Sequence, residues 1–230
     1  MDARAGAMPD RTDRTLRHLM GERTWSALLA GAHERRHPAG GVLLRQEEPG
    51  THVLALLTGV AKVVRREPDG DLTLLAFRGP GEVLGEVAVL DDSVRSASVE
   101  AIAPCTVAVV GREAFLRFVA EHDLYPVMVR YAFGRLRESD RARGGGDAVA
   151  RLAAALAALA ELSAGPGGPG AGVELALTRD DLAQYLGVSR NTVTAGLAEL
   201  APLGVESGRR RIVVGDPAAL RGAASAPHRG

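Results

Sequence analysis

The pattern of hydrophobic residues changes from strand-like to helix-like near residue 112, and this change most constrains how the chain can fold. Between residues 42 and 111, short β-forming runs are separated by turns rich in glycine and proline. Several short strands at this spacing predict a small β-sandwich or β-barrel. The dipeptide Asp69-Gly70 lies between two of these runs and predicts a tight hairpin. The predicted strands are 42–44, 53–57, 61–64, 72–77, 96–101 and 106–110.

After residue 112, apolar residues recur at helical spacing and predict helices over 113–120, 126–143 and 147–162. The helix over 126–143 would be about 27 Å long, at about 1.5 Å per residue. The triplet Gly144-Gly145-Gly146 predicts a break or hinge after it, because each glycine costs about 1 kcal/mol relative to alanine inside a helix. A second segment rich in glycine and proline, 165–172, predicts a flexible connection.

Composition narrows the class of protein. The chain has 230 residues, of which 46% are hydrophobic and 24% charged, as in globular proteins with one large or two small domains. Its 28 basic residues balance its 28 acidic ones, so a nucleic-acid site has to be a local patch. The apolar run around 53–60 is shorter than the ~18 residues of a membrane span, and residues 1–14 are polar; we expect a cytoplasmic protein with no membrane partner. The one cysteine, Cys105, excludes a disulfide framework or a four-cysteine metal site within this chain.

The segment 178–200 has the pattern of a helix-turn-helix. Thr178 and Asp181 have the spacing of a capping box at the start of a helix. The pattern has a small residue, Ala183, where the two helices touch, and a glycine, Gly187, in the turn. A β-branched residue, Val193, packs from the second helix against the first. The alternative is an ordinary helical hairpin.

Residues suited to DNA follow this pattern. The outer face of the second helix would present side chains that match base edges and phosphates. Residues 205–214 predict a β-hairpin wing with three arginines at its bend, where they could contact a phosphate backbone. The segment from 190 to 221 contains five arginines and three acidic residues, so this end of the chain is locally basic. The candidate DNA-binding residues are Thr178, Ser189, Arg190, Asn191, Thr192, Thr194, Arg209, Arg210 and Arg211.

The segment 81–99, with Gly81, Gly85, Glu86, Arg95 and Ser96, resembles the phosphate-binding cassette of cyclic-nucleotide-binding domains. Gly85 permits close backbone approach, and the turn after it would direct amide N–H groups at an anion. Arg95 supplies a planar guanidinium for the cyclic phosphate, and Ser96 a hydroxyl donor. Glu86 would accept a hydrogen bond from the ribose 2′-OH. The alternative for Glu86 and Arg95 is a simple surface ion pair.

Taken together, the strands with this cassette, the long helix and the winged helix-turn-helix resemble the cyclic-AMP receptor protein / fumarate–nitrate-reduction regulator (Crp/Fnr) family of bacterial transcription regulators. The similarity covers roughly residues 36–220. It implies an α+β fold with a cyclic-nucleotide-binding β-roll over 15–124, a dimerisation helix and hinge over 125–146, and a winged helix-turn-helix domain over 147–221.

The resemblance also implies the function. We expect a homodimer that binds a pseudo-palindromic site on double-stranded DNA, with RNA polymerase as a further partner. No cofactor is required, and a cyclic nucleotide, cyclic AMP first, would act as effector. Ser139 is the nearest match to hydroxyl residues that contact adenine from the long helix in this family. The candidate nucleotide-binding residues are Gly85, Glu86, Arg95, Ser96, Ala97 and Ser139.

Departures from the family pattern leave alternatives open. The family's Arg-Glu-x-x-x-Arg appears as Arg190-Asn191 with Ala195 in the final position, so the DNA sequence bound should differ from the best-known consensus. The chain could bind DNA without cyclic AMP or with another effector, or act as a nucleotide-binding module through protein contacts. His33 and His37 stand four apart, which leaves haem or metal binding as an alternative, but surface histidines are the commoner explanation and we expect no metal site. No catalytic motif is present, so we do not expect an enzyme.

Overall fold

The computed structural model of the chain describes residues 15–142, 147–164 and 172–225. Two short helices, α1 (Leu16–Met20) and α2 (Glu22–Leu29), precede eight strands. A short helix, α3 (Glu86–Leu90), lies between the sixth and seventh strands. The strands are β1 (His33–His37), β2 (Val42–Leu44), β3 (His52–Thr58), β4 (Ala61–Arg66), β5 (Leu72–Arg78), β6 (Val83–Leu84), β7 (Ser98–Ala101) and β8 (Cys105–Gly111).

These eight strands form two antiparallel four-stranded sheets. The first has the order β1-β8-β3-β6 and the second the order β2-β7-β4-β5. In the second sheet, Lys62 of β4 lies opposite Glu100 of β7, and Val63 lies opposite Val99. The turn between β4 and β5 is closed by a 2.9 Å hydrogen bond from the Gly70 N–H to the Glu67 carbonyl. The hairpin predicted from Asp69-Gly70 is therefore confirmed.

The rest of the chain is mainly helical. Its elements are α4 (Arg112–Glu121), α5 (Tyr125–Ala142), α6 (Ala148–Ser163), β9 (Val173–Leu175), α7 (Arg179–Leu186), α8 (Arg190–Leu200), β10 (Val205–Ser207), β11 (Ile212–Val214) and α9 (Pro217–Ser225). Strand β11 lies between β10 and β9 in a three-stranded sheet, so the predicted wing is present. Among the helices of the described ranges, none is long and apolar enough to cross a membrane.

All six predicted strands and all five predicted helices are present, but other elements were missed. Strand β1 has the sequence His-Glu-Arg-Arg-His and is almost wholly exposed, so it lacks the alternation that marks a strand. Strands β6 and β9 are only two and three residues long. Helices α1, α2, α3 and α9 were not predicted either. Gly144, Gly145, Gly146 and residues 165–171 lie outside the described residues.

The helix-turn-helix formed by α7 and α8 has the predicted local structure. Thr178 and Asp181 form the capping box at the start of α7. Gly187 ends that helix in the left-handed conformation, with φ 67°. Gly196, in the middle of α8, is explained by close packing, because a Cβ there would lie 3.0 Å from Leu152 Cδ2 of α6.

One hydrophobic core is shared by the β-roll and the C-terminal unit, which we define as residues 147–164 and 172–225. Val64, Leu74 and Phe77 of the second sheet belong to the same buried cluster as Leu156 of α6 and Leu182 of α7. A separate cluster, which includes Trp25 and Phe115, lies between the first sheet and the helices that cover it. The C-terminal unit is therefore docked on the second sheet.

Candidate functional site

The cassette residues surround one small cavity at the end of the β-roll. Strand β6 ends at Leu84, and the next residue, Gly85, has φ 81° and caps the start of α3. The cavity has a volume of about 100 Å³. Its wall includes five of the six candidate nucleotide-binding residues, namely Gly85, Glu86, Arg95, Ser96 and Ala97. The side chain of the sixth, Ser139 on α5, lies outside the described part of the chain.

Arg95 is held in place by backbone carbonyls. Its side chain is buried, with 3% of the residue exposed. Nη2 donates to the His52 carbonyl at 2.7 Å and Nη1 to the Gly85 carbonyl at 3.3 Å. Burial lowers the pKa of the guanidinium, and the nearby Glu48 and Glu86 carboxylates oppose that shift. These bonds use two of the five N–H groups of an arginine and fix the guanidinium in the cavity wall.

Glu86 pairs with an arginine that the sequence analysis did not single out. Its Oε1 accepts a hydrogen bond from Arg135 Nη1 of α5 at 2.6 Å. The interpretation of Glu86 and Arg95 as a simple surface pair therefore does not hold, since both are buried. Arg135 lies four residues before Ser139 in the sequence, about one helical turn. That spacing is the one sequence signal that could have identified Arg135 as a residue of this site.

Arg135 is the centre of a buried polar network. Its Nη2 lies 3.2 Å from Glu82 Oε2 and donates to the Val83 carbonyl at 3.1 Å. The guanidinium stacks over the Tyr131 ring, 4.2 Å from its centroid, and Tyr131 donates its hydroxyl proton to Glu82. Burial lowers the pKa of Arg135, but Glu86 and Glu82 outweigh this and raise it. Burial also raises the pKa of Tyr131, so its hydroxyl stays protonated.

Arg135 forms part of the wall of a small cavity. Pockets for small molecules usually have volumes of about 300–1,000 Å³. The cavity of about 100 Å³ counts Arg135 among its wall residues. A nucleotide that accepted Glu86 Oε1 as its partner would therefore compete with Arg135 for that oxygen.

The recognition helix α8 presents the predicted face to solvent. Its outward residues are exposed, while Val193 and Leu197 are buried in the core. Ser189 caps the helix by accepting from the Thr192 N–H at 3.0 Å. The Arg190 Nε lies 3.5 Å from Asp180 Oδ1. The exposed candidates on the helix and in the wing bend are Arg190, Asn191, Thr192, Thr194, Arg209, Arg210 and Arg211.

Thr178, which was predicted to contact DNA, also has a structural role at the start of α7. Its hydroxyl donates to Asp181 Oδ2 at 2.8 Å and accepts from the Asp181 N–H at 3.0 Å. The side chain is half-buried between α7 and the second sheet. A contact of Thr178 with DNA stays a prediction.

Comparison with known protein families matches two regions of the chain. Residues 34–122 match the family described as "Cyclic nucleotide-binding domain". Residues 150–223 match the "Crp-like helix-turn-helix domain". Together the two matches define a class of protein: a DNA-binding transcription regulator with a cyclic-nucleotide-binding domain.

Similar proteins identify the family. A "CRP-like cAMP-activated global transcriptional regulator" of Mycobacterium tuberculosis is 29% identical over 171 residues, 73% of this chain and 76% of that protein. A "Cyclic AMP receptor protein" of Thermus thermophilus is 30% identical over 179 residues, 74% of this chain and 78% of that protein. The structure of a CRP/FNR-family regulator from Thermus thermophilus, 26% identical, covers 84% of this chain and 99% of its own, with TM-score 0.57. The chain belongs to the Crp/Fnr family of transcription regulators.

Gly85→Ala should destabilise the protein more than Gly70→Ala. A Cβ at residue 85 would lie 2.1 Å from Arg95 Nη1 and 2.9 Å from Leu44 Cδ1, whereas at residue 70 it would meet nothing within 4 Å. Both glycines have positive φ, so both variants bear the left-handed backbone cost of about 1–2 kcal/mol. We expect the free energy of unfolding, measured in urea, to fall by at least about 1 kcal/mol more in Gly85→Ala than in Gly70→Ala. Equal losses would show that Arg95 is not tightly held.

Proposed function

We propose that this regulator is a homodimer whose binding to DNA is controlled by a cyclic nucleotide, with cyclic AMP as the effector. The observation that carries the proposal is that the cassette residues and Arg135 of the long helix meet around one cavity. The names of the relatives from Mycobacterium tuberculosis and Thermus thermophilus support cyclic AMP. The coupling to DNA rests on the connection of α5 to the C-terminal unit.

In the proposed mechanism, the nucleotide takes the place of Arg135. The ribose 2′-OH donates to Glu86, while Arg95, Ser96 and the turn amides after Gly85 bind the cyclic phosphate. Arg135 keeps Glu82 as a partner when it leaves Glu86, because Glu82 already lies 3.2 Å away. The displacement shifts α5. The ligand can move the equilibrium between the two positions of α5 only by the difference between its affinities for them, and this difference sets the size of the effect on DNA binding.

Glu86→Gln should weaken the discrimination between cyclic AMP and its 2′-deoxy analogue. A hydrogen bond to a charged acceptor contributes about 1.5–3 kcal/mol, so the unmodified protein should prefer the ribonucleotide by at least about tenfold. A neutral acceptor is about half as strong, so the preference should fall several-fold in the variant. Isothermal titration with both nucleotides measures the two affinities.

Glu82→Gln is the matched control. It also removes one carboxylate from Arg135, but Glu82 is not part of the cavity wall. Its discrimination between the two nucleotides should equal that of the unmodified protein. If both variants lost discrimination equally, Glu86 would not contact the ribose. If the unmodified protein gave no heat with cyclic AMP, another effector or none would apply.

The long helix α5 supplies a surface for dimerisation. Four large apolar side chains on it are at least half exposed, at 52–65%. They are spaced by four, four and three residues and so form one stripe along the helix. Two such helices packed against each other would bury both stripes. The stripe consists of Tyr125, Val129, Phe133 and Leu136.

Phe133→Glu should convert the dimer into monomers, because it places a carboxylate in the middle of this stripe. Ala114→Glu adds the same charge at an exposed position of α4 and should leave the dimer intact. Sedimentation velocity of both variants at equal concentration separates the two species. A dimeric Phe133→Glu variant would place the interface elsewhere.

Arg190→Ala should relax base discrimination, whereas Arg209→Ala should weaken binding to all sequences alike. Arg190 lies at the start of the recognition helix, where a bidentate contact to guanine discriminates by about 1–3 kcal/mol. Arg209, in the wing bend, would neutralise a phosphate and contribute about 0.9 to the slope of log K against log salt. Fluorescence anisotropy with a duplex selected by the unmodified protein, and with single-base variants of it, measures both effects. Unchanged discrimination in Arg190→Ala would remove Arg190 from base recognition.

The contact with RNA polymerase that the family implies stays a prediction. The alternative of a nucleotide-binding module that acts only through protein contacts is not favoured, because the C-terminal unit matches a Crp-like helix-turn-helix domain.

A further inference from the structure

The recognition helix α8 has one exposed face, and its buried residues locate the centre of that face. The buried residues of α8 are Val193, Gly196, Leu197 and Leu200. Consecutive residues of an α-helix are rotated by about 100°, so Asn191 lies opposite the middle of the buried face. Ala195 and Ala198, about one and two turns further along, lie within about 40° of Asn191 around the helix axis. The exposed face is therefore centred on Asn191.

We call Asn191, Ala195 and Ala198 the neutral stripe. All three residues are exposed. The two charged residues of α8, Arg190 and Glu199, lie near its two ends and on either side of the stripe. The part of α8 that points most directly away from the protein therefore carries one amide and two methyl groups.

The amide of Asn191 is available to a ligand, whereas its polar neighbours use their hydroxyl groups within the protein. Ser189 Oγ and Thr192 Oγ1 are hydrogen-bonded to each other at 2.8 Å, and Ser189 also caps the helix. Thr194 Oγ1 donates to the Arg190 carbonyl at 2.9 Å. Within the described part of the chain, the Asn191 side chain makes no hydrogen bond. A base edge that reaches this face meets an amide whose donor and acceptor are both available.

The chemistry of the neutral stripe matches A·T base pairs. In the major groove, adenine presents an N6 amino donor beside an N7 acceptor, and asparagine can bond to both at once. Thymine presents a C5-methyl group, which an alanine methyl can contact. Guanine presents two acceptors, O6 and N7, which require two donors such as those of arginine. The stripe has no arginine, so it favours A·T over G·C base pairs.

The stripe can come close to the bases because its side chains are short. An asparagine amide reaches a base edge only if the helix lies deep in the groove, and alanine at 195 and 198 leaves no long side chain on the same face to prevent this. From residue 191 to residue 198 the helix rises by about 10 Å, at about 1.5 Å per residue. This is close to the rise of three base pairs at about 3.4 Å each. A run of about three neighbouring base pairs is therefore within reach of the stripe.

We propose that the neutral stripe recognises a run of A·T base pairs in each half of the DNA site, with Asn191 as the residue that specifies adenine and the two alanines in contact with thymine methyl groups. The inference rests on the proposed function, since it names the class of DNA sequence that the same helix binds. Arg190 lies at one end of the stripe, so the guanine contact expected of it would flank the A·T run. Because the stripe carries no charge, its contribution to affinity does not depend on salt, unlike that of the wing arginines.

Asn191→Ala in the full-length protein tests the specificity. Duplexes are first selected from a random library by the unmodified protein with cyclic AMP present. Replacement of the adenine that Asn191 specifies should lower the affinity of the unmodified protein at least about fivefold, whereas Asn191→Ala should bind the same duplexes within about twofold of one another. The slope of log K against log salt should be equal in the two proteins. Selected half-sites without an A·T run, or a preference for adenine that persists in Asn191→Ala, would overturn the inference.

Modified bases test the individual atoms. 7-Deazaadenine keeps Watson–Crick pairing and the N6 amino group but lacks the N7 acceptor. At the specified adenine it should lower the affinity of the unmodified protein several-fold and leave that of Asn191→Ala unchanged. Uracil in place of thymine removes only the methyl group and should lower the affinity about two- to fourfold. Equal losses with 7-deazaadenine in both proteins would overturn the role of Asn191, and unchanged affinity with uracil would overturn that of the alanines.

Asn191→Glu gives a result that misfolding cannot produce. A carboxylate accepts from the cytosine N4 amino group, so the preference at the same base pair should move from adenine to cytosine. Asn191 is also the only asparagine of the chain, so asparagine labelled with a heavy nitrogen isotope in its side chain gives a single pair of amide signals in an NMR spectrum. These signals should shift when the selected duplex is added, and shift less with its 7-deazaadenine analogue. Signals that do not move with either duplex would overturn the contact.

Glu199→Ala is the matched control. It shortens another exposed side chain of α8 that lies outside the stripe. Loss of a negative charge should raise the affinity for all duplexes alike and leave the base preference as it is. A loss of adenine preference equal to that of Asn191→Ala would show a general effect of altering the helix and would overturn the inference. An unmodified protein that selected no duplex would overturn the proposed function and the inference together, whereas base preferences that do not depend on Asn191 would overturn the inference alone.

Discussion

The ion pair between Arg135 and Glu86 joins the long helix to the nucleotide cassette, and the arrangement of the regulatory half of the molecule depends on it. A buried guanidinium is tolerated only where partners offset its lost hydration. Here those partners are Glu86, Glu82 and the Val83 carbonyl, all within the segment 81–99 that carries the cassette. The groups that hold this guanidinium therefore set the position of α5. A ligand that competes for Glu86 acts directly on the helix that leads to the C-terminal unit.

Strand alternation gives the β-roll a second connection to that unit. In β4, consecutive residues face opposite ways, so Val63 borders the nucleotide cavity while Lys62 contacts α7. Because the protein interior is closely packed and transmits strain, a group bound on one face of the sheet can act on the contacts of the other face. The β-roll and the C-terminal unit therefore have two physical connections, the chain through α5 and the sheet itself.

The sequence predicts what depends on near neighbours and misses what depends on distant ones. The capping box of Thr178 and Asp181, the turn at Gly187 and the hairpin at Asp69-Gly70 each involve residues within a few positions, so their patterns were sufficient. Arg135 and Glu86 are 49 positions apart, and Lys62 and Asp181 are 119 apart. Such contacts leave no local pattern, because only the packed fold brings them together. The cassette itself was identified because its residues lie within one short segment, 81–99, whose pattern resembles that of a known family.

The absence of net charge is compatible with DNA binding because of how the charges are placed. Around the candidate DNA surface, Arg190 lies 3.5 Å from Asp180 and Arg211 lies 3.5 Å from Glu174, and all four side chains are more than half exposed. Exposed ion pairs of this kind contribute about 0–1 kcal/mol, so phosphates can replace the carboxylates at little cost. The same carboxylates reduce attraction to any polyanion at a distance. A neutral chain arranged in this way gains its DNA affinity only at close contact, where base recognition also acts.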